Sequence, residues 1–479
     1  MKNRIIIVVL CAMTALSVMA QENVKTEKKE TVKSHLVQHF KLYGFVRNYF
    51  AYDSRESLSG TGDLYNYQPR DVNWNQTPEQ AAASGVERQD LNAQSTFRFL
   101  SLTTRLGLNI VGYKWRNTEF GGKIEADFYA GLSTKGSGVH SVSGTAQFRL
   151  RQAYMTLAWD SLLMGEKAYA RVDLLLGQAW HPMAADLSDV IALNSGAPFG
   201  PFSRTPQVKM DARLGNYFTL TGALIWQMQY CSIGPDGQSA EYIGYSKTPE
   251  AYLGVNVHAN GFLARAGADV LSICPRHTGT VLAADGKTQV AVRVNDRLTT
   301  ASPFIYLQYR KGEFSIKAKS VFMEAGEHMN MNGGYGVKKV NADGSWEYTP
   351  TRTSSSWLSI VYGGKVGAQE DKHPQKLQGI LFGGYVRNFG TKDPLATKQD
   401  GSLVGFYYPR ASNMNQMYRL SPTLLYTVGK FQLGCEYEIT SVQYGDIAQG
   451  SINPANGLCD KGLHWVTNHR VQLMTKYNF

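Results

Sequence analysis

Long apolar runs are what the sequence most conspicuously lacks. Beyond residue 20 no stretch approaches the roughly 18 apolar residues that a membrane-crossing helix needs, and the mean hydropathy is slightly negative. A helical membrane protein is excluded, so any crossing must be made with strands. Charge is also sparse, at 18%. It is scattered through alternating segments and forms no basic run, which excludes a nucleic-acid binder. Cysteine is rare. After Cys11, only Cys231, Cys274, Cys435 and Cys459 remain, too few for a disulfide framework. Cys231 and Cys274 both fall at predicted strand ends near outer loops. A single bridge between them and a pair of thiols are both left open.

Catalytic and cofactor motifs are missing too. Neither His-Glu-x-x-His nor Gly-x-Ser-x-Gly occurs, and the ten histidines are dispersed, with His181 and His258 isolated in sequence. The expectation is no enzyme, no metal and no cofactor. Asp285-Gly286 and Asp343-Gly344 read as turns, since further oxygen ligands for calcium are absent. Gly333-Gly334-Tyr335-Gly336 is not followed by the Lys-Ser/Thr of a phosphate loop.

What the chain does have is glycine (47), tyrosine (27) and phenylalanine (20), a mix suited to many strands, turns and interfacial rings. Its N-terminus has the form of an export signal: basic Lys2 and Arg4, apolar Ile5 to Met13, and small-residue positions Val18 and Ala20. Cleavage is expected after Ala20. That removes two cations and no acids, lowering the formal charge from +11 to +9. Cys11 is a poor lipoprotein site because bulky Leu10 precedes it. Residues 21–37 are polar and charged, a short periplasmic segment before a barrel over 38–479.

From His39 onward the period is two. Leu100, Leu102, Leu106, Leu108 and Ile110 are assigned to one face, opposite Ser101, Thr103, Arg105, Gly107 and Asn109. Ile124, Ala126 and Phe128 oppose Lys123, Glu125 and Asp127. Tight reversals are expected at 214–217, Asn260-Gly261, 310–313 and 428–431. Between them lie long polar stretches at 54–94, 131–144, 184–205, 232–250, 275–299, 324–354, 390–415 and 445–464. Short and long connections alternate. The fold class is therefore all-β: a transmembrane antiparallel up-and-down barrel of about sixteen strands, with short periplasmic turns and long extracellular loops. The weakest strand signals are 206–213 and 355–365, so fourteen or eighteen strands stay open. A secreted sandwich or propeller would also alternate, but no blade-spaced repeat occurs and the loop alternation runs the full length.

If the apolar face meets lipid, Arg47, Arg105, Arg149, Arg151, Lys209, Arg265, Lys317, Lys319, Arg419 and Arg470 point inward. So do Glu125, Asp127, Asp269, Glu436 and Glu438. The cations outnumber the acids, which predicts a modest preference for anions. Arg149 and Arg151 share a face by their i, i+2 spacing and suit carboxylate or phosphate. The competing reading pairs them with Asp127 or Glu125 next door. The loop at 184–205 is the constriction candidate. Its apolar residues over 184–193 have helical spacing, and Asp186 and Asp189 are expected to face the arginine wall.

Several segments resemble a known family. His39-Phe40-Lys41-Leu42-Tyr43-Gly44-Phe45-Val46-Arg47 looks like the first strand of Gram-negative porins, and Phe148-Arg149-Leu150-Arg151-Gln152-Ala153-Tyr154 like their arginine-bearing fourth. Gly177-Gln178-Ala179-Trp180 and Ser203-Arg204-Thr205-Pro206-Gln207-Val208 look like the flanks of their third loop. The alternating last strand ends in Phe479, like the signal read by barrel-assembly machinery. Together the pattern is similar to DcaP-type porins, particularly Bacteroidota versions. The resemblance implies a homotrimer in outer-membrane lipid passing small, often anionic solutes, with Arg204 added to the pore-lining set. Such proteins can carry an N-terminal coiled coil, for which 21–37 is too short, and Thr205 stands where Gln is expected. An outer-membrane protease or phospholipase, or a surface adhesin, are the alternatives. Hydrolytic assays and conductance distinguish them.

Overall fold

The structure is a computed structural model, and it describes residues 38–60, 65–101, 103–129, 147–160, 170–192, 196–366, 373–447 and 452–479. The expected export signal (1–20), the 21–37 segment and the 131–144 loop lie outside these.

Sixteen antiparallel strands close into a barrel. In chain order they are β1 (Phe40–Asp53), β2 (Thr96–Leu100 with Arg105–Trp115), β3 (Thr118–Tyr129), β4 (Gln147–Asp160), β5 (Ala170–Trp180), β6 (Arg204–Leu214), β7 (Phe218–Ile225) and β8 (Glu250–Ala259). There follow β9 (Phe262–Leu282), β10 (Gln289–Lys311), β11 (Phe314–Glu324), β12 (Trp346–Val366), β13 (Gln375–Thr391), β14 (Met414–Val428), β15 (Phe431–Tyr444) and β16 (His464–Asn478). Each strand pairs with its neighbours in sequence. The seam closes between β1 and β16, from Phe45 opposite Asn478 to Asp53 opposite Arg470. The Phe479 N–H donates to Gly44 O across that seam (3.1 Å), and its ring occupies the space a side chain at Gly44 would need.

The short connections form where the sequence expects them. Asn260 and Gly261 both have positive φ, at 45° and 85°, the type I′ geometry whose twist matches a hairpin. The segments with the weakest signals are full strands, and β12, at 21 residues, is among the longest. Outward side chains are apolar: in β10, Ile305, Leu307 and Tyr309 are exposed while Ser302, Phe304 and Tyr306 are buried.

Three expectations are corrected. First, 275–299 is not a loop. β9 and β10 stay paired out to Leu282 opposite Gln289, so a hairpin continues past the barrel. Within 324–354, Tyr335–Val340 pairs with the start of β12. Second, Leu100 and Leu106 do not share a face. Leu100 is opposite Tyr49 and Arg105 opposite Phe45, so four residues separate the pairs on one strand and three on the other, and the extra one reverses the alternation. Before the bulge Phe97 and Phe99 point out and after it Leu106 and Leu108 do, while Leu100 packs against the Tyr49–Ile191–Met474 cluster inside. Third, the interior is not uniformly polar. Met183, Phe199, Met329 and Met331 from loops pack on inward Phe304, Tyr306, Trp357 and Phe382. The largest hydrophobic cluster thus lies inside the barrel.

Candidate functional site

The interior wall of β1 to β6 carries a charge cluster. Arg149 forks onto Asp127 with Nε and Nη2 at 3.0 and 3.1 Å. Arg151 donates to Glu125 (3.0 Å) and to Asp127 (2.5 Å). So the pairing with neighbouring acids is real, and the fork geometry fixes both guanidinium planes. A second bulge shapes this site. Glu125 faces Gln152 while Ala126 faces Leu150, leaving Arg151 as the extra residue. Arg151 and Gln152 both turn inward, and both reach Glu125 Oε1. Arg105 adds a longer contact to Glu125 (3.6 Å). Arg47 donates to Thr103 (2.9 Å). Arg47, Arg105 and Lys476 all stand within about 5 Å of the Phe45 ring. Cations here outnumber the two carboxylates.

Other arginines of the expected lining are covered. Arg204 is 2% exposed and stacked against Trp180 and Phe202. Arg470 binds Asp53 (3.1 Å), with Arg98 at 3.7 Å from the same carboxylate. Arg419 lies 3.4 Å from Glu438 and donates to Tyr67 O of the loop after β1 (2.8 Å). Arg419 ties a loop to the wall and Arg470 bridges the β1–β16 seam; none of the three stands on an open surface.

The described residues 181–192 and 196–203 pack inside the barrel. Asp186 pairs with Arg265 on β9 (3.0 Å) and Asp189 with Lys317 on β11 (2.6 Å). Asp189 also accepts from Ser359 on β12 (3.2 Å). Lys319 donates to Met183 O. The Ile191 N–H donates to Glu436 on β15 (2.9 Å), and Tyr49 on β1 donates to Ile191 O (2.7 Å). Ser355 donates to Phe199 O (2.6 Å), and the Phe199 ring lies where a Gly384 side chain would be, 2.6 Å from that Cβ position. The helix expected over 184–193 is absent among the described residues: only Pro182–Ala184 makes a 3-10 turn. Its apolar residues are separate anchors, Val190 packing in one cluster and Ile191 in another. Both aspartates are paired to β9 and β11 and do not reach Arg149 or Arg151.

Below this segment, toward the short-turn end, a cavity of about 430 Å³ is lined by Lys209, Asp211, Arg213, His258 and Arg265 under Pro182 and Ala185. A second, of about 450 Å³, shares Lys209, Asp211 and Arg213 and adds Lys41, Lys123 and Arg171. Lys209 pairs with Asp211 (2.8 Å).

His181 is not isolated. Its Nε2 lies 2.7 Å from Glu250 and 3.6 Å from Asp269, while its Nδ1 accepts the Met183 N–H (3.1 Å). His328, from the loop after β11, lies 3.6 Å from Glu250 and bonds Ala325 O through Nδ1 (3.1 Å). His181, Glu250 and Asp269 are close enough to hold a metal ion. However, the Met183 contact leaves the imidazole proton on Nε2, so that nitrogen is a donor to Glu250, not a ligand. Burial opposes charge on His181, but the carboxylates of Asp269 and Glu250, the latter accepting from Nε2, outweigh it and push its pKa up to about 9. Burial pushes the Glu327 carboxyl up to about 7, against the pull of His328. These groups come from four distant segments, so no spacing in the sequence announces them. Cys231 and Cys274 are not bridged to one another.

No family model matches the chain, and no curated protein matches its sequence. Among solved structures, the outer membrane channel DcaP of Acinetobacter baumannii superposes with a TM-score of 0.58 at 18% identity, over 92% of this chain and 97% of that one. OmpT, an outer membrane protein of Vibrio cholerae, gives 0.46 at 10% identity over 92% and 97%. Salmonella typhi OmpF gives 0.44 at 13% over 92% and 97%. The chain therefore has the fold of the DcaP outer membrane channel, a closed sixteen-stranded porin-type barrel.

Proposed function

We propose that this chain is an outer-membrane porin: a water-filled diffusion channel for small hydrophilic solutes that favours anions. The carrying observation is the β1–β6 wall, where, among the described residues, Arg47, Arg105, Arg149, Arg151 and Lys476 gather around two acids, Glu125 and Asp127. Such a wall raises the local concentration of carboxylate or phosphate solutes. Lys209 and Arg265, each partly exposed, continue it into the cavity beneath the inward segment. In this reading the 184–205 loop narrows the path, held by Asp186 and Asp189. The exposed apolar belt contacts lipid, and the assembly is a homotrimer delivered by barrel-assembly machinery that reads Phe479.

Planar-bilayer recording of the purified full chain tests this. Reversal potentials in a salt gradient are expected to show anion selectivity, in current steps grouped by three. Asp186→Asn is expected to loosen the loop from Arg265 and raise conductance. A barrel that carries no current, or one selective for cations, sinks the proposal.

A further inference from the structure

The strongest feature outside the charged wall is the buried cluster at the root of the inward segment. His181 opens that segment, and it caps the first turn by accepting the Met183 N–H on Nδ1 (3.1 Å). The remaining nitrogen, Nε2, is committed to Glu250 (2.7 Å). Both ring nitrogens are therefore used, one as acceptor and one as donor. A second proton has only Nδ1 to go to. Once there, it points an N–H at an N–H, and the cap is lost.

The surroundings favour that second proton. Glu250 on β8 and Asp269 on β9 flank the ring, and Glu250 Oε2 and Asp269 Oδ1 have no hydrogen-bond partner although buried. Tyr252 of β8 stacks edge-on to the ring. From the loop after β11 come His328, whose Nε2 also lacks a partner, and the buried carboxyl of Glu327. Lys319 of β11 holds Met183 from its carbonyl side, and the Asp186–Arg265 pair closes the next turn of the segment. Two buried carboxylates thus face a histidine whose protonation has a structural consequence at the adjoining residue.

We propose that His181 is a proton-operated clamp on the inward segment: its second proton expels the Met183 N–H and frees the first turn, so the channel's constriction responds to pH. Its conductance arm rests on the channel reading above; its structural arm does not. The acidic neighbours raise the affinity for this proton toward pH 9 while the lost cap opposes it. The midpoint is set by the pull of Glu250 and Asp269 against the cost of the lost cap, with the clamp engaged above it and released below it.

The test uses the full-length protein from about pH 6 to about pH 10, spanning the imidazole range. Amide exchange of the 182–185 segment, corrected for intrinsic rates, is expected to lose about five- to tenfold protection below the midpoint, the worth of one net hydrogen bond. Open-state current noise is expected to rise with the same midpoint. His181→Asn keeps a capping oxygen for Met183 but does not titrate, so both readouts become flat. His328→Gln removes a second imidazole that competes for Glu250 and is expected to move the midpoint upward. If protection titrates but no current flows, the clamp stands and the channel reading fails. If both readouts are flat in the parent, or His181→Asn keeps the transition, the clamp is refuted. It is also refuted if zinc or a chelator, and not pH, moves them.

Discussion

Glu125→Gln is the most informative single change in the β1–β6 wall. The carboxylate receives Arg151 (3.0 Å), Gln152 (3.2 Å) and the Tyr43 hydroxyl (2.9 Å), with Arg105 at 3.6 Å. Glutamine keeps the shape and one accepting oxygen but removes a negative charge. The structural cost stays below the ~3–5 kcal/mol of breaking a buried pair, because Arg151 retains Asp127 at 2.5 Å. The electrostatic gain follows from Coulomb's law. One unit of charge about 7 Å from a passing anion, in water-like surroundings, is worth about 0.6 kcal/mol, or nearly threefold in local anion concentration. The chloride-to-potassium permeability ratio, read from reversal potentials at about 0.1 M salt, is therefore expected to rise two- to threefold. At about 1 M salt, where the Debye length is ~3 Å, the effect should vanish. A ratio that stays the same or falls at low salt would mean that this wall does not face the permeating ions.

Two further outcomes follow from loop anchoring and buried charge. Gly384→Val places a branched side chain where the Phe199 ring lies, so the inward segment should lose its seat and single-channel conductance should rise, while heat-modified gel migration still reports a closed barrel. Glu327, whose pKa stands near 7 against 4.5 for an ordinary glutamate, holds a proton in the folded state that the unfolded chain gives up between those values. Stability contributed by Glu327 therefore falls as pH rises from 4.5 to 7. Glu327→Gln is expected to be the more stable form at pH 8, with a weaker pH dependence in urea unfolding.

The barrel was legible because lipid and lumen impose opposite demands on alternate residues, and that demand repeats in every strand. Asn260-Gly261 and the other tight turns were legible because few residues accept positive φ. The hairpin over 275–299 was not. Beyond the membrane no apolar outer face is needed, so a polar strand there has the composition of a loop. The inward segment misled for a different reason. Leu187, Val190 and Ile191 have helical spacing by coincidence, each packing against a different cluster. Apolar Met183, Phe199, Met329 and Met331 within otherwise polar loops were the available sign that these loops fill the interior. Face assignment identified the inward arginines, but burial under loops at Arg204, Arg419 and Arg470 depends on contacts between distant segments, which periodicity does not carry.

The extra residue at Arg151 matters for how this chain relates to others. In a regular strand, chain position alone decides which side chains meet lipid. After the bulge that bookkeeping is inverted, so Leu150 and Met155 face out from opposite parities. Losing the extra residue would leave the barrel closed yet exchange the lipid and lumen faces of everything on one side of it, unless a second gain or loss restored the phase. Related chains should therefore carry insertions and deletions inside this strand in compensating pairs. An alignment that confines gaps to loops will match lumen residues of one protein to lipid-facing residues of another.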